Sequence, residues 1–203
     1  MGIYAIKPWF RGRLLGTAQR LARRGTTPDH VTAAGVCASL LGGGALALGR
    51  ISAWWWLAVP VLIFLRIAAN ALDGLVAQEA DLARPAGELF NEIADRLGDA
   101  ALIGAIAAVP GVVPGLAFGA LAAAGLASFV GITARAAGGT RRYDGPMGKP
   151  DRMFAVALAA SVAPFVDHPR RVFTAALWLI LGGALLTAAN RYRKAHAELE
   201  SSG

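Results

Sequence analysis

The sequence predicts an all-α integral membrane protein with six transmembrane helices, preceded by an N-terminal amphipathic helix in the membrane interface. Three observations carry that prediction. First, 56% of the 203 residues are hydrophobic and only 16% are charged, where a soluble domain carries roughly 25% charged residues. Second, the apolar residues gather in runs near the roughly 20-residue length that a helix needs to span a bilayer. Third, most of the basic residues fall between those runs rather than inside them.

Residues 1–27 contain no continuous apolar core of the kind a signal peptide carries. Instead Trp9, Phe10, Leu14, Leu15 and Leu21 alternate with Arg11, Arg13, Arg20, Arg23 and Arg24, which suits a helix lying in the headgroup plane with its arginines toward anionic lipid. Thr27-Pro28-Asp29 reads as a helix start: a hydroxyl at the N-cap, proline in the first turn and an acid favoured by the helix dipole. Spans are then expected near 29–49, 53–78, 87–109, 113–137, 151–166 and 171–190, within one membrane domain over 28–192, followed by a tail over 193–203. Trp54, Trp55 and Trp56 read as an interfacial aromatic belt, Cys37 as a packing residue, and Gly111, Gly115 and Gly119 as a stripe for close helix approach.

An even number of spans puts both termini on one side. That side holds Lys7, Arg11, Arg13, Arg20, Arg23, Arg24, Arg84, Arg96, Arg135, Arg141, Arg142, Lys149, Arg152, Arg191, Arg193 and Lys194, against Arg50, Arg170 and Arg171 on the other. The positive-inside bias makes the richer side cytoplasmic, so the net charge of +7 reflects topology. Without a basic stripe interleaved with aromatics, nucleic acid is excluded as a partner. A single cysteine excludes a disulfide framework and a cysteine zinc site, and three scattered histidines, His30, His168 and His196, argue against a histidine metal cluster or a hydrolase triad. No internal repeat supports an inverted-repeat transporter.

Ionisable groups inside spans are costly and are functional candidates by default. They concentrate in two neighbouring stretches. One carries Arg66, Asn70, Asp73, Gly74, Ala77 and Gln78; the other carries Arg84, Gly87, Glu88, Asn91, Glu92, Asp95, Arg96 and Asp99. Asn70 and Asp73 share a face, and at about 100° per residue Glu88, Glu92, Asp95 and Asp99 share another. Two antiparallel helices would turn these faces together. Such a site suits Mg²⁺ or Mn²⁺, which take carboxylate and amide oxygens and leave positions for substrate phosphates. The other reading of the same spacing is a set of interfacial acids paired with Arg66, Arg84 and Arg96. Glycine at Gly74, inside a helix that would prefer alanine, points to close approach by a ligand or another helix.

Asn70-x2-Asp73-Gly74-x2-Ala77-Gln78-x8-Gly87-x3-Asn91-x3-Asp95 resembles the CDP-alcohol phosphotransferase signature Asp-x2-Asp-Gly-x2-Ala-Arg-x8-Gly-x3-Asp-x3-Asp, with the same spacing throughout. Asn70-Ala-Leu-Asp73-Gly74, Phe90-Asn91-Glu92, Gly145-Pro-Met-Gly148-Lys149-Pro-Asp151-Arg152 and Asn190-Arg191 resemble a bacterial inner-membrane branch of that family. Asn70 and Asn91 stand where the family has metal-binding Asp, and Gln78 where it has Arg. The resemblance implies transfer of a phosphatidyl-type group from CDP-diacylglycerol to a small alcohol or phosphorylated acceptor, with release of CMP, by a homodimer in the inner membrane with a cytoplasmic site. Asp73 would be a metal ligand and Asp95 a metal-proximal general base. Asn70 and Asn91 would offer neutral amide oxygens, and Glu88 or Glu92 would make up the missing charge. Gly74, Ala77, Gln78 and Gly87 would receive the nucleotide, with Gln78 lacking arginine's charged fork. Lys149 and Arg152 would reach a phosphate. Two rivals stand beside this: a non-catalytic relative that binds a CDP-lipid or nucleotide, and a cation or proton transporter built on the intramembrane acids.

Overall fold

The computed structural model describes residues 7–202; side-chain surroundings are described from residue 12 onward, so the expected contribution of Trp9, Phe10 and Arg11 lies outside the described side chains. Seven α-helices follow in order: α1 (Lys7–Arg23), α2 (Pro28–Leu48), α3 (Ala58–Glu79), α4 (Pro85–Asp99), α5 (Pro114–Ala136), α6 (Lys149–Val162) and α7 (Pro169–Ser202). A 3₁₀ turn at Ala53–Leu57 leads into α3, and α4 passes into a π turn at Ala100–Gly104 and a 3₁₀ turn at Ile106–Ala108.

Four of the six expected spans are long and apolar enough to cross a membrane: Pro28–Leu48, Ala53–Glu79, Pro114–Ala136 and Pro169–Ser201. The other two are not, for physical reasons visible in the chain. α4 has 15 residues and carries Glu88, Glu92, Asp95, Arg96 and Asp99, while the apolar residues beyond it leave α-helical geometry. α6 has only 14 residues, about 21 Å at 1.5 Å per residue. The last helix is longer than expected. Its 34 residues reach about 50 Å, well beyond a hydrocarbon core of about 30 Å, so the expected tail is helical as far as Ser202.

The start of α2 is the one the sequence predicts. Thr27 is the N-cap; its hydroxyl accepts from the His30 backbone N–H at 3.4 Å, and His30 Nδ1 accepts from the Thr27 N–H at 3.4 Å. α1 packs against the bundle: Ala18, on α1, is buried against Val31, Leu75 and Val76, with Leu14 and Leu21 packed around them. The main core joins Leu46, Val59, Leu102, Ile106, Val156, Phe173 and Ile180. Trp56 belongs to it at 3% exposure, donating from Nε1 to Leu46 O at 3.2 Å and meeting Phe173 edge-on. Of the three residues of the expected belt, only Trp54 and Trp55 are exposed. Cys37, expected to pack, is exposed.

Within the chain the glycine stripe does not carry a close helix approach. Gly111 occupies a turn before α5 at φ +79°, and Gly115 and Gly119 face open space. One close approach within the chain lies where α2 crosses the π turn: a Cβ on Gly43 would sit 2.3 Å from Ala101 O, an impossible contact. Gly43→Ala is therefore expected to destabilise the fold by about 1–3 kcal/mol, as overpacking does, whereas Gly44→Ala, inside the same helix with nothing within 4 Å, leaves the thermal unfolding temperature in detergent unchanged or raises it slightly, because a helix interior favours alanine.

Candidate active site

The site lies where α3, α4 and the start of α6 converge, and its floor is a buried ion cluster. Arg66 on α3 and Arg152 on α6 are each 1% exposed. Arg152 Nη2 donates to Asp99 Oδ2 at 2.9 Å, and Arg66 Nη2 lies 3.6 Å from Asp99 Oδ1. Arg66 also donates to the backbone carbonyl of Asp95 at 3.1 Å. Its guanidinium lies flat across Gly98, where any Cβ would come within 2.3 Å of Nη2. Placing two guanidiniums around one carboxylate offsets the large cost of burying charge, and this fixes the relative height of three helices.

Above that floor, Asp95 on α4 accepts at Oδ1 from Asn70 Nδ2 at 3.0 Å and from Lys149 Nζ. Arg96 Nη2 is 3.9 Å from Oδ2. Asp73, 5% exposed, accepts from the Thr32 hydroxyl of α2 at 3.0 Å and from the Gly74 backbone N–H. The backbones of α3 and α4 stay apart while α2 packs on both, so the two polar faces meet through long side chains and leave room between them.

That room is two neighbouring cavities. The larger, about 710 Å³, is lined by Asn70, Asp95, Arg96, Lys149 and Arg152, by Arg141, Arg142, Tyr143 and Arg191, and by apolar Phe64, Ile67 and Met153. The smaller, about 460 Å³, is lined by Asp73, Gly74, Ala77, Gln78 and Gly87 together with Thr32 and Arg84. Glu88, Asn91 and Arg135 line both. Both volumes fall in the range of small-molecule sites. Gly74 has nothing within 4 Å of where its Cβ would stand, so a side chain there would project into open space.

The expected site residues thus fall into two groups, Asp73 with Gly74, Ala77, Gln78 and Gly87, and Asp95 with Asn70, Glu92, Lys149 and Arg152. The ion pairs expected of the acids are seen in part. Arg66 and Arg96 do pair with Asp95 or Asp99, but Arg84 pairs with Asp29. Glu88 pairs with Arg135 at 3.3 Å and Glu92 with Arg141, and Lys149 engages Asp95. Among the described residues no three His, Cys, Asp or Glu side chains converge as a metal site. One feature does suit a cation: Asn91 Oδ1 is a buried acceptor without a hydrogen-bond partner, on the wall the two cavities share. An ion there would use amide and substrate oxygens beside carboxylate.

Sequence reasoning gave no role to Thr32, Tyr143 or Arg191, and it placed Asp99 on the acidic face without assigning it to Arg66 and Arg152. The signal for Asp99 was present, since two arginines in apolar surroundings require a carboxylate. Arg191 is 6% exposed and donates to the carbonyls of Ala127, Tyr143 and Asp144, tying α5, the 137–148 segment and α7 together. Within that segment the Asp144 carboxyl is pushed up by partial burial, but the Lys194 hydrogen bond and charge outweigh this and hold it below its ordinary value. Glu198 is held low in the same sense by the two Thr140 donors and Arg142. Acids depressed in the fold stabilise it above their unfolded pKa, near 4, and that stabilisation is lost as pH falls through the lower folded value. Amide exchange at Thr140, corrected for its intrinsic rate, is expected to accelerate as pH drops below about 4 and to be flat between pH 6 and 8.

No family model matches the chain. It is 34% identical over 195 residues to the inner membrane protein YnbA of Escherichia coli K12, covering 95% of this chain and 96% of the relative. It is 33% identical over 193 residues to the phosphatidylinositol phosphate synthase of Mycolicibacterium smegmatis, covering 92% and 83%. Two solved structures of Mycobacterium tuberculosis phosphatidylinositol phosphate synthase share the fold. The form in complex with manganese and citrate aligns with a TM-score of 0.76 at 23% identity, over 89% of this chain and 88% of that one. The form with CDP-DAG bound aligns with 0.75 at 24%, over 89% and 92%. Signature spacing, helical architecture and end-to-end similarity to a phosphatidylinositol phosphate synthase agree, and the chain belongs to the CDP-alcohol phosphotransferase family.

Proposed function

We propose that this protein transfers a phosphatidyl-type group from CDP-diacylglycerol to an alcohol that itself carries a phosphate, releasing CMP. The observation that carries the reading is the pair of cavities with a shared wall, one bearing Asp73 beside Gly74 and Gly87, the other bearing Asp95 beneath a cationic rim. The smaller cavity suits the nucleotide, and the apolar Phe64, Ile67 and Met153 side of the larger one suits lipid chains. Arg96, Arg141, Arg142 and Lys149 form an electropositive wall suited to a phosphorylated acceptor. Solved relatives described with CDP-DAG and with manganese support the donor and a divalent ion.

The acceptor hydroxyl attacks the lipid-side phosphorus, Asp95 takes its proton, and the bond to the CMP oxygen breaks. Lys149 and Asn70 keep the Asp95 carboxylate oriented. Mg²⁺ or Mn²⁺, held by Asp73 and Asp95 with amide oxygens of Asn70 and Asn91, would neutralise charge building on the departing CMP. Two amides in place of acids lower the site's negative charge, so weaker metal binding, and a higher metal concentration for half-maximal activity, is expected than at a site with the signature's four acids. The setting is a bacterial inner membrane with both termini and the site facing the cytoplasm, and two copies form a homodimer.

The test is product formation. Purified protein with CDP-diacylglycerol and Mn²⁺ is offered each alcohol in phosphorylated and unphosphorylated form, and the lipid product is identified by mass. Preference for a phosphorylated member supports the reading, and equal or better use of the unphosphorylated partner removes the phosphate from it. A Gln78→Arg variant, which restores a charged fork at the smaller cavity, is expected to lower the KM for the donor several-fold.

A further inference from the structure

We propose that the cytoplasmic end of α7 is a working part of the site, and that Glu198 is a positioning residue which sets Arg142 and the 140–148 segment along the cationic wall of the larger cavity. Arg191, Lys194 and Glu198 stand at i, i+3 and i+7, on one face of α7, and every one of them grips this segment. Glu198 accepts from the Thr140 backbone N–H and the Thr140 hydroxyl, each at 3.0 Å, and from Arg142 Nη2. Arg142 Nη2 also donates to the Lys194 carbonyl at 3.2 Å, Lys194 Nζ lies 2.7 Å from Asp144, and Arg191 holds the Tyr143 and Asp144 carbonyls.

The segment is seated as closely as backbone allows. A Cβ on Gly145, at φ +133°, would meet Thr187 at 2.4 Å, and one on Gly131 would meet Arg142 O at 2.5 Å. An apolar span needs none of this, because the helix has already exceeded the bilayer thickness where Glu198 acts. What the grip fixes is Arg142. With Nη2 committed to Glu198 and the Lys194 carbonyl, the Arg142 Nε stays buried without a hydrogen-bond partner in a side chain that lines the cavity. A guanidinium held by one nitrogen with another unmatched is prepared for an anion. Beside it Arg141 is fixed by Glu92 and lies 4.8 Å over the Tyr143 ring.

The inference rests on the reading of the larger cavity as a phosphate-accepting site, and the experiment separates the two. Inorganic phosphate and CDP are titrated separately into the full-length protein in detergent, wild type beside Glu198→Ala and the milder Thr140→Ala, and amide exchange is followed over 138–146. Glu198→Ala is expected to weaken phosphate binding about tenfold, leave CDP binding within twofold, and accelerate exchange over 138–146; Thr140→Ala moves phosphate binding and exchange the same way by less. Unchanged CDP binding shows that the variant is folded. Wild-type phosphate affinity and exchange in Glu198→Ala would overturn the positioning role. Failure of the wild type to bind phosphate would overturn the reading of the cavity beneath it, whatever the exchange data show.

Discussion

Asp95→Asn is expected to reduce CMP formation by about 10² to 10⁴-fold, the usual contribution of a positioned base, with CDP-diacylglycerol binding little changed. The carboxylate is the meeting point of the larger cavity: Asn70 and Lys149 converge on Oδ1, and Arg96 lies beyond Oδ2. An amide of the same shape can occupy that position but cannot take a proton from an acceptor hydroxyl. Glu92→Gln gives the comparison. Its carboxylate is committed to Arg141, so its loss is expected to raise the KM for the acceptor more than it lowers kcat. If both variants lost activity equally, Asp95 would have no special place in the chemistry.

Asp99→Ala is expected to be the most destabilising single change at the site, by about 3–5 kcal/mol, because removing one partner of a buried ion cluster leaves uncompensated charge. Two guanidiniums, Arg66 and Arg152, would lose their carboxylate while remaining sealed from water. Asp29→Ala breaks an exposed pair with Arg84 and should cost about 0–1 kcal/mol. Thermal unfolding of the two variants in the same detergent checks the contrast. Equal shifts would mean that the cluster is a passenger of the packing and not its cause.

The helical class, the starts of α2 and α5, and the two polar stretches were legible because they rest on local signals: hydropathy, capping residues and spacing along a helix. Asn70 and Asp95, on faces expected to turn toward each other, are hydrogen-bonded. What local signals do not carry is how far each helix runs and which partner a charge finds. The span count rested on apolar runs, whereas α4 spends its length on charges and its apolar continuation bends through a π turn against Gly43. Glu88 and Glu92 look equivalent to Asp95 in helical register, yet Arg135 and Arg141 arrive from the far side of the chain to claim them. Trp56 and Trp55 are adjacent and chemically identical, and only the Leu46 carbonyl and Phe173 distinguish core from surface. The α7 extension was read as a tail because its i, i+3, i+7 polar face has no meaning until the 137–148 segment is laid against it.

The central claim is that a site with amides at two of its four signature positions still transfers the phosphatidyl group, and CMP release tests it most directly. Purified protein is incubated with CDP-diacylglycerol and Mn²⁺, with and without the phosphorylated acceptor panel, beside Asp95→Asn and a metal-chelated control. The account predicts CMP only when donor, acceptor and metal are present together, and its loss in Asp95→Asn. Donor that binds tightly while no CMP appears in any wild-type reaction would contradict it, and would make the protein a CDP-lipid-binding member of its family.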